Sequence, residues 1–255
     1  TQATVSANAR LVSELNLNDQ QDFQDATRGL IAAPPSLQIA GPGKSTVWNM
    51  PSFDFIKGAA PDTVNPSLWR QAILNNNHGL YKVTDGVYQI RGFDISNMSL
   101  IEGKTGWIVV DPLTTKETAA AAIAFAREHL GDKPVSAIIF THSHIDHFGG
   151  VLSVLGAGEN TAIVAPVGFM EEATSENVIA GTTMGRRSMF MFGGQLEHSS
   201  RGHVDSGLGK GPALGSAGIA APTRTITTTG ETLTIDGMDF IFQNAPGSEA
   251  PAELT

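Results

Sequence analysis

Six consecutive residues, His142-Ser143-His144-Ile145-Asp146-His147, bring three imidazoles and one carboxylate together in the middle of the chain. Imidazole and carboxylate are the side chains that hold zinc-like ions in hydrolases. His142 and His144 are two apart, so on an extended backbone they point the same way and suit one ion. Asp146 and His147 lie one turn further on and suit a second ion nearby. Two cations a few ångströms apart can share a hydroxide, which is a nucleophile at neutral pH. The spacing therefore points to metal-assisted hydrolysis, with His142, His144, Asp146 and His147 as ligands and Asp146 in the catalytic group. The competing reading is a polar loop with surface histidines, but packing does not ask for four such residues at this spacing.

The flanking residues say what holds this loop. Val135 to Phe140 is a short apolar run rich in β-branched residues and reads as a buried strand. Phe148-Gly149-Gly150 permits a sharp turn into a helix. A loop leaving a strand is where an α/β fold carries its chemistry. Upstream, Leu80–Val83, Val87–Phe93, Met98–Ile101 and Trp107–Val110 are four β-type runs separated by Asp85-Gly86, Gly103-Lys104 and Gly106. The last run ends in Asp111-Pro112, and Asp111 is expected to accept a hydrogen bond from a ligand imidazole. Residues 115 to 130 form an Ala-rich helical stretch that stops at Gly131. Ala162–Ala165 is a further buried strand, and residues 223 to 242 read as a β-meander with turns at Gly230 and Gly237.

Residues 1–75 read as an N-terminal wrapping segment, with one or two helices over residues 4 to 30 and another starting at Asn65-Pro66. Residues 76–255 read as the catalytic domain, interrupted at about 175–222 by a lid rich in Gly, Ser, Ala and Met. Met184, Met189, Phe190, Met191 and Phe192 of this lid suit either an apolar substrate channel or core packing. Arg186 and Arg201 are its candidate anion contacts. Gly207-Leu208-Gly209-Lys210-Gly211 lacks the preceding strand and the spacing of a phosphate loop.

Composition sets the outer bounds. A hydrophobic content of 41% with 16% charged residues belongs to a folded chain. The formal net charge of −9 disfavours nucleic acid as a partner. With no cysteine there are no disulfides, thiolate metal sites or cysteine nucleophile. No stretch approaches the ~18 to 20 apolar residues of a membrane span. The chain begins at Thr1 with no Met and no charged-then-apolar leader, which fits a periplasmic or secreted protein whose signal has been removed, or a chain trimmed at its start.

A strand followed by His-x-His-x-Asp-His and Gly-Gly resembles the metallo-β-lactamase superfamily. Within it, residues 62–71, 78–89, 97–103, 106–112, 141–150 and 246–253 are similar to the alkylsulfatases that hydrolyse dodecyl sulfate and secondary alkyl sulfates. The resemblance implies an α/β fold, the αββα sandwich, of which this chain is expected to cover the N-terminal part. It implies that His142, His144 and Glu249 bind one zinc and that Asp146 and His147 bind a second. Other members place a third His near residue 249; here Pro246-Gly247-Ser248-Glu249 offers a carboxylate, with Glu253 as the alternative. The implied activity is zinc-dependent hydrolysis of an alkyl sulfate ester to alcohol and sulfate. The rivals are another hydrolase of the superfamily (β-lactamase, lactonase, thiolesterase or phosphodiesterase) and a non-catalytic metal-binding module. The resemblance further implies a homodimer, and a C-terminal remainder that completes the sandwich and adds dimerisation and lipid-carrier-like domains.

Overall fold

The computed structural model describes residues 1–156 and 161–255. The first part of the chain forms α1 (Gln2–Glu14), α2 (Gln21–Thr27), β1 (Leu30–Ala32), β2 (Gln38–Ala40), β3 (Thr46–Asn49) and α3 (Pro66–Leu74). The start of α3 follows from local chemistry: the Asn65 side chain accepts from the amides of Ser67 and Leu68, and Pro66 occupies the first turn, where its missing N–H costs nothing. The four apolar runs are β4 (Gly79–Thr84), β5 (Val87–Arg91), β6 (Met98–Glu102) and β7 (Trp107–Val110). Then come α4 (Lys116–Leu130), β8 (Val135–Ile139), α5 (Val151–Val154), β9 (Ala162–Pro166), α6 (Phe169–Thr174) and α7 (Gly181–Met191). The remaining strands are β10 (Arg224–Ile226), β11 (Glu231–Ile235) and β12 (Met238–Phe242).

Eight strands form one mixed sheet in the order β1-β4-β5-β6-β7-β8-β9-β10. From β4 to β7 short connections make neighbours antiparallel, and β1 pairs antiparallel with β4 from farther along the chain; from β7 to β10 neighbours are parallel. Alternation along the strands sorts side chains between two faces. Leu100, Val109, Ile138, Phe140 and Ile163 face α4, α5 and α6, meeting Ala119, Ala122, Ile123, Val151 and Phe169. Ile108, Ala137, Ile139, Val164 and Ile226 face the other way and pack on Ile235, Phe242 and Leu254. The β11–β12 hairpin therefore lies on the face of the sheet opposite α4, and the layers run helix, sheet, hairpin. These are the helical, first β and beginning second β layers of the expected sandwich.

Capping sets the ends of α4. Thr115 and Thr118 make a reciprocal capping box, and Gly131 at φ +101° ends the helix in a conformation that other residues resist. The hairpin is tied to the sheet by Asp236, whose carboxylate accepts from the Thr105 amide (3.0 Å), the Thr105 hydroxyl (2.8 Å) and the Gly106 amide (2.9 Å). Replacing Asp236 by Ala removes these bonds together, and the expected outcome is a drop in Tm of about 3 °C or more. An unchanged melting curve would show that the apolar contact alone holds the hairpin.

Two elements differ from the sequence expectation. Residues 224–226 are not the first strand of a meander: β10 pairs in parallel with β9, Arg224 opposite Val164, after Thr223 bonds Ile163 through its hydroxyl and backbone. The pairing partner is some 60 residues away, so no local turn signal announces it. The first part of the 175–222 stretch is helical: a wide π turn at Ser175–Ile179 runs into α7 despite Gly181 and Gly185. Residues 1–75 also supply the edge strand β1, through Lys82 N–H donating to Gly29 C=O at 2.7 Å and the Leu30–Tyr81 pairing. Among the described residues, no helix is long and apolar enough to cross a membrane.

Candidate metal centre

The His142–His147 loop leaves the sheet at the carboxyl end of β8, between the ends of β7 and β9. Phe140 anchors the exit: its amide donates to Val164 C=O (2.9 Å) and its ring stacks on Phe169 at 4.9 Å. The next residue, Thr141, donates from both its amide (2.8 Å) and its hydroxyl (2.7 Å) to the carboxylate of Asp111 at the end of β7. Asp111 adopts φ +56°, a region where non-glycine residues are uncommon and which clusters at functional sites. Downstream, Gly149 and Gly150 press the loop against the β7–α4 connection. A Cβ there would lie 2.0 Å from Thr114 C=O and 2.2 Å from Pro112 C=O, so only glycine fits.

A second buried carboxylate holds the frame behind the loop. Asp94 accepts from the Ile95, Thr114 and Ala213 amides and from the Thr114 and Thr118 hydroxyls. Burial pushes its carboxyl above the ordinary aspartate value, against the pull of those donors. Two residues on, the Ser96 hydroxyl donates to the backbone C=O of Asp146. The β5–β6 connection thus braces the metal loop. No motif marks Asp94 or Ser96, because their partners are dispersed along the chain.

His142, His144 and Glu249 converge. His142 Nε2 and His144 Nδ1 each lie 3.7 Å from Glu249 Oε1, and the three donor atoms fall within 4.8 Å of one another. His142 is 3% exposed, and its Nε2 finds no hydrogen-bond partner among the described residues. A buried nitrogen without a partner is costly unless something else satisfies it. Two imidazoles and a carboxylate at this separation are a donor set for a divalent cation. Glu253 acts on the backbone instead. Its carboxylate accepts from the Glu249 and Ala250 amides (2.7 and 3.0 Å) and so shapes the turn that presents Glu249.

Asp146 and His147 sit beside this group. The His142 and His147 rings are 3.9 Å apart, and Asp146 Oδ2 is 3.3 Å from His147 Nε2. His147 Nδ1 meets Asp111 Oδ2 at 2.8 Å. Burial lowers the pKa of His147, but its bonds to Asp111 and Asp146 outweigh that and push it up to about 10. Burial raises that of Asp146, and the bond to His147 more than reverses it. Burial, with the positive charge of His147, holds His142 below the ordinary histidine value.

The other candidates lie elsewhere. Arg186 is exposed on α7, and Arg201 is exposed at the rim of a cavity of about 840 Å³ whose lining includes no residue of the His142–His147 loop. Phe190, Met191 and Phe192 line that same cavity with Val5 and Leu68, and Phe190 is 83% exposed rather than in the core. His78 is tied to Asn76 and Pro34 carbonyls and His129 to Phe125 C=O, both structural. Glu176, which no local sequence signal marks, has its Oε2 4.0 Å from His144 Nε2.

The chain is similar to several known proteins. Alkyl/aryl-sulfatase BDS1 of Saccharomyces cerevisiae is 49% identical over 99% of this chain and 40% of its own length. A linear primary-alkylsulfatase of Pseudomonas sp is 46% identical over all of this chain and 39% of its own. The solved structure of the stereoselective inverting sec-alkylsulfatase Pisa1 from Pseudomonas sp. superposes over the whole chain with a TM-score of 0.95 at 42% identity, using 41% of that protein. The chain thus spans about 40% of the length of the relatives it matches. The sequence model described as Metallo-beta-lactamase superfamily matches residues 91–242, a stretch that holds Asp111 and the whole His142–His147 loop. The fold so identified implies a divalent metal, and His142, His144 and Glu249 are placed to hold one. With more than half of its residues inside that match and the donor loop leaving the sheet between β7 and β9, the chain belongs to the metallo-beta-lactamase superfamily.

Proposed function

We propose that the protein carrying this chain hydrolyses alkyl sulfate esters of the dodecyl sulfate type, giving an alcohol and inorganic sulfate, with two zinc ions. The observation that carries the proposal is the convergence of His142 Nε2 and His144 Nδ1 on the Glu249 carboxylate, in a chain similar over its full length to proteins named alkylsulfatases. His142, His144 and Glu249 would hold one ion, and Asp146 with His147 would contribute to a second. When bound, such ions supply positive charge that offsets the sulfate and lower the pKa of water to about 7.

The protein's own residues do the positioning. Asp111 accepts from His147 Nδ1, which fixes the ring and turns Nε2 toward Asp146. Thr141, held by the same carboxylate, sets the direction in which His142 leaves the strand. Phe140, Phe148 and Phe169 pack beneath the loop and close its floor to water. The overall balance is simple: water adds its hydroxyl to one fragment and its proton to the other as the ester bond breaks. The full-length protein is further proposed to act as a homodimer outside the cytoplasm.

Chelation followed by zinc add-back tests this reading. Sulfate release from dodecyl sulfate by the full-length protein is expected to vanish on metal removal and to return at about two zinc per chain. Full activity in the chelated protein, or metal uptake with no sulfate released, would overturn it.

A further inference from the structure

His144 lies between two carboxylates on opposite sides of its ring. Nδ1 is 3.7 Å from Glu249 Oε1 and Nε2 is 4.0 Å from Glu176 Oε2. The Nδ1 side is the side of the donor cluster, because the same Glu249 oxygen also faces His142 Nε2. An imidazole that gives one nitrogen to a metal carries a proton on the other, and that N–H is held by a carboxylate, a backbone carbonyl or water. Here the outward nitrogen is Nε2, and Glu176 stands before it. A charge-assisted bond would shorten this separation from 4.0 Å to about 2.8 Å.

Glu176 is not a loose surface acid. Its side chain is 27% exposed and His144's is 30% exposed, so the pair is largely shielded. It lies in the π turn Ser175–Ile179, closed by Ala180 N–H donating to Ser175 C=O (2.9 Å) directly after α6. That helix is pinned by Phe169 on Phe140 and Phe148 and by the buried Ala173. Such wide turns shift the register of a helix and recur at functional sites. The core that fixes the metal loop therefore also fixes Glu176. Its exposed neighbours Val178 and Ile179 lead on into α7.

We propose that Glu176 is a positioning residue of the metal centre: it accepts a hydrogen bond from His144 Nε2–H, holds the ring with Nδ1 toward the cation, and ties the α6–α7 segment to the site. This rests on the metal site proposed above. The side chain acts through His144, so its effect should appear in metal affinity.

The experiment uses the full-length protein, with zinc affinity read by chelator competition in wild type, Glu176→Ala and Glu176→Gln. Glu176→Ala is expected to weaken zinc binding about 10- to 100-fold, the usual cost of losing such a partner. Glu176→Gln keeps an acceptor oxygen and is expected to recover most of the loss. The ¹⁵N shifts of His144 in the zinc-loaded wild type are expected to mark Nδ1 as the coordinating nitrogen and Nε2 as protonated, a readout that needs no variant. Wild-type affinity in Glu176→Ala, equal losses in both variants, or coordination through Nε2 would each overturn the proposal. A wild-type protein that takes up no zinc would overturn the site itself. Zinc uptake without sulfate release would leave the Glu176 assignment standing and remove only the substrate.

Discussion

Replacing His142 with Ala is expected to lower sulfate release by the full-length protein at least about a thousandfold, because metal-supplied charge stabilisation is worth several kcal/mol and about 4 kcal/mol corresponds to a thousandfold in rate. Zinc bound per chain should fall in parallel. The fold should survive. His142 is buried with Nε2 unpartnered and Nδ1 2.9 Å from the Thr141 hydroxyl, so the substitution removes an unsatisfied atom together with one hydrogen bond and some packing. Metal-free stability is therefore expected to fall only modestly, while the gain in Tm expected of wild type on adding zinc disappears. That split separates a ligand from a packing residue. A His142→Ala protein with wild-type zinc content and turnover would remove the imidazole from the site.

The Asp111→Ala variant is expected to act on both stability and metal affinity. One carboxylate, 6% exposed, accepts from Thr141 N–H, the Thr141 hydroxyl and His147 Nδ1, so its loss removes three hydrogen bonds at once. Breaking a buried network of this kind costs about 3–5 kcal/mol. The same change frees the His147 ring, and loss of such an orienting partner weakens metal affinity about 10- to 100-fold. Alanine also tolerates φ +56° less well than aspartate or asparagine. Asp111→Asn keeps the backbone preference and part of the hydrogen bonding and should fall between wild type and Ala. Thermal unfolding with chelator competition measures both; an Ala variant matching wild type in both would show that Thr141 and His147 are held by other contacts.

Much of the candidate site could be read in the chain because its residue types are rare and its spacing is local. His142 to His147 follow a β-branched strand and precede two glycines, and these signals are close neighbours along the chain. The four runs of residues 80–110 could be read for the same reason, since alternation and tight turns are near-neighbour effects. Glu249 was reached by resemblance alone; nothing near it in the sequence says that it meets two histidines. Asp94, Ser96 and Glu176 were missed because each acts on something far along the chain, as when Asp94 accepts from Ala213 N–H. The parallel pairing of β10 with β9 escaped on the same ground. Helix α7 escaped on another: Gly, Thr and Ser are weak helix formers, and an apolar, exposed surface such as Phe190 gives no amphipathic pattern to read.

Glu249 reaches the histidines from the far end of the chain, at a separation of roughly a hundred residues, where closing a loop costs several times RT in entropy. A chain with no cysteine has no sulfur bridge to close so long a circuit. A cation seated there would act as a removable staple, locking β8 to the segment after the hairpin. Zinc and protease resistance should then rise together, with the first cuts in the stripped protein falling between the hairpin and Glu249.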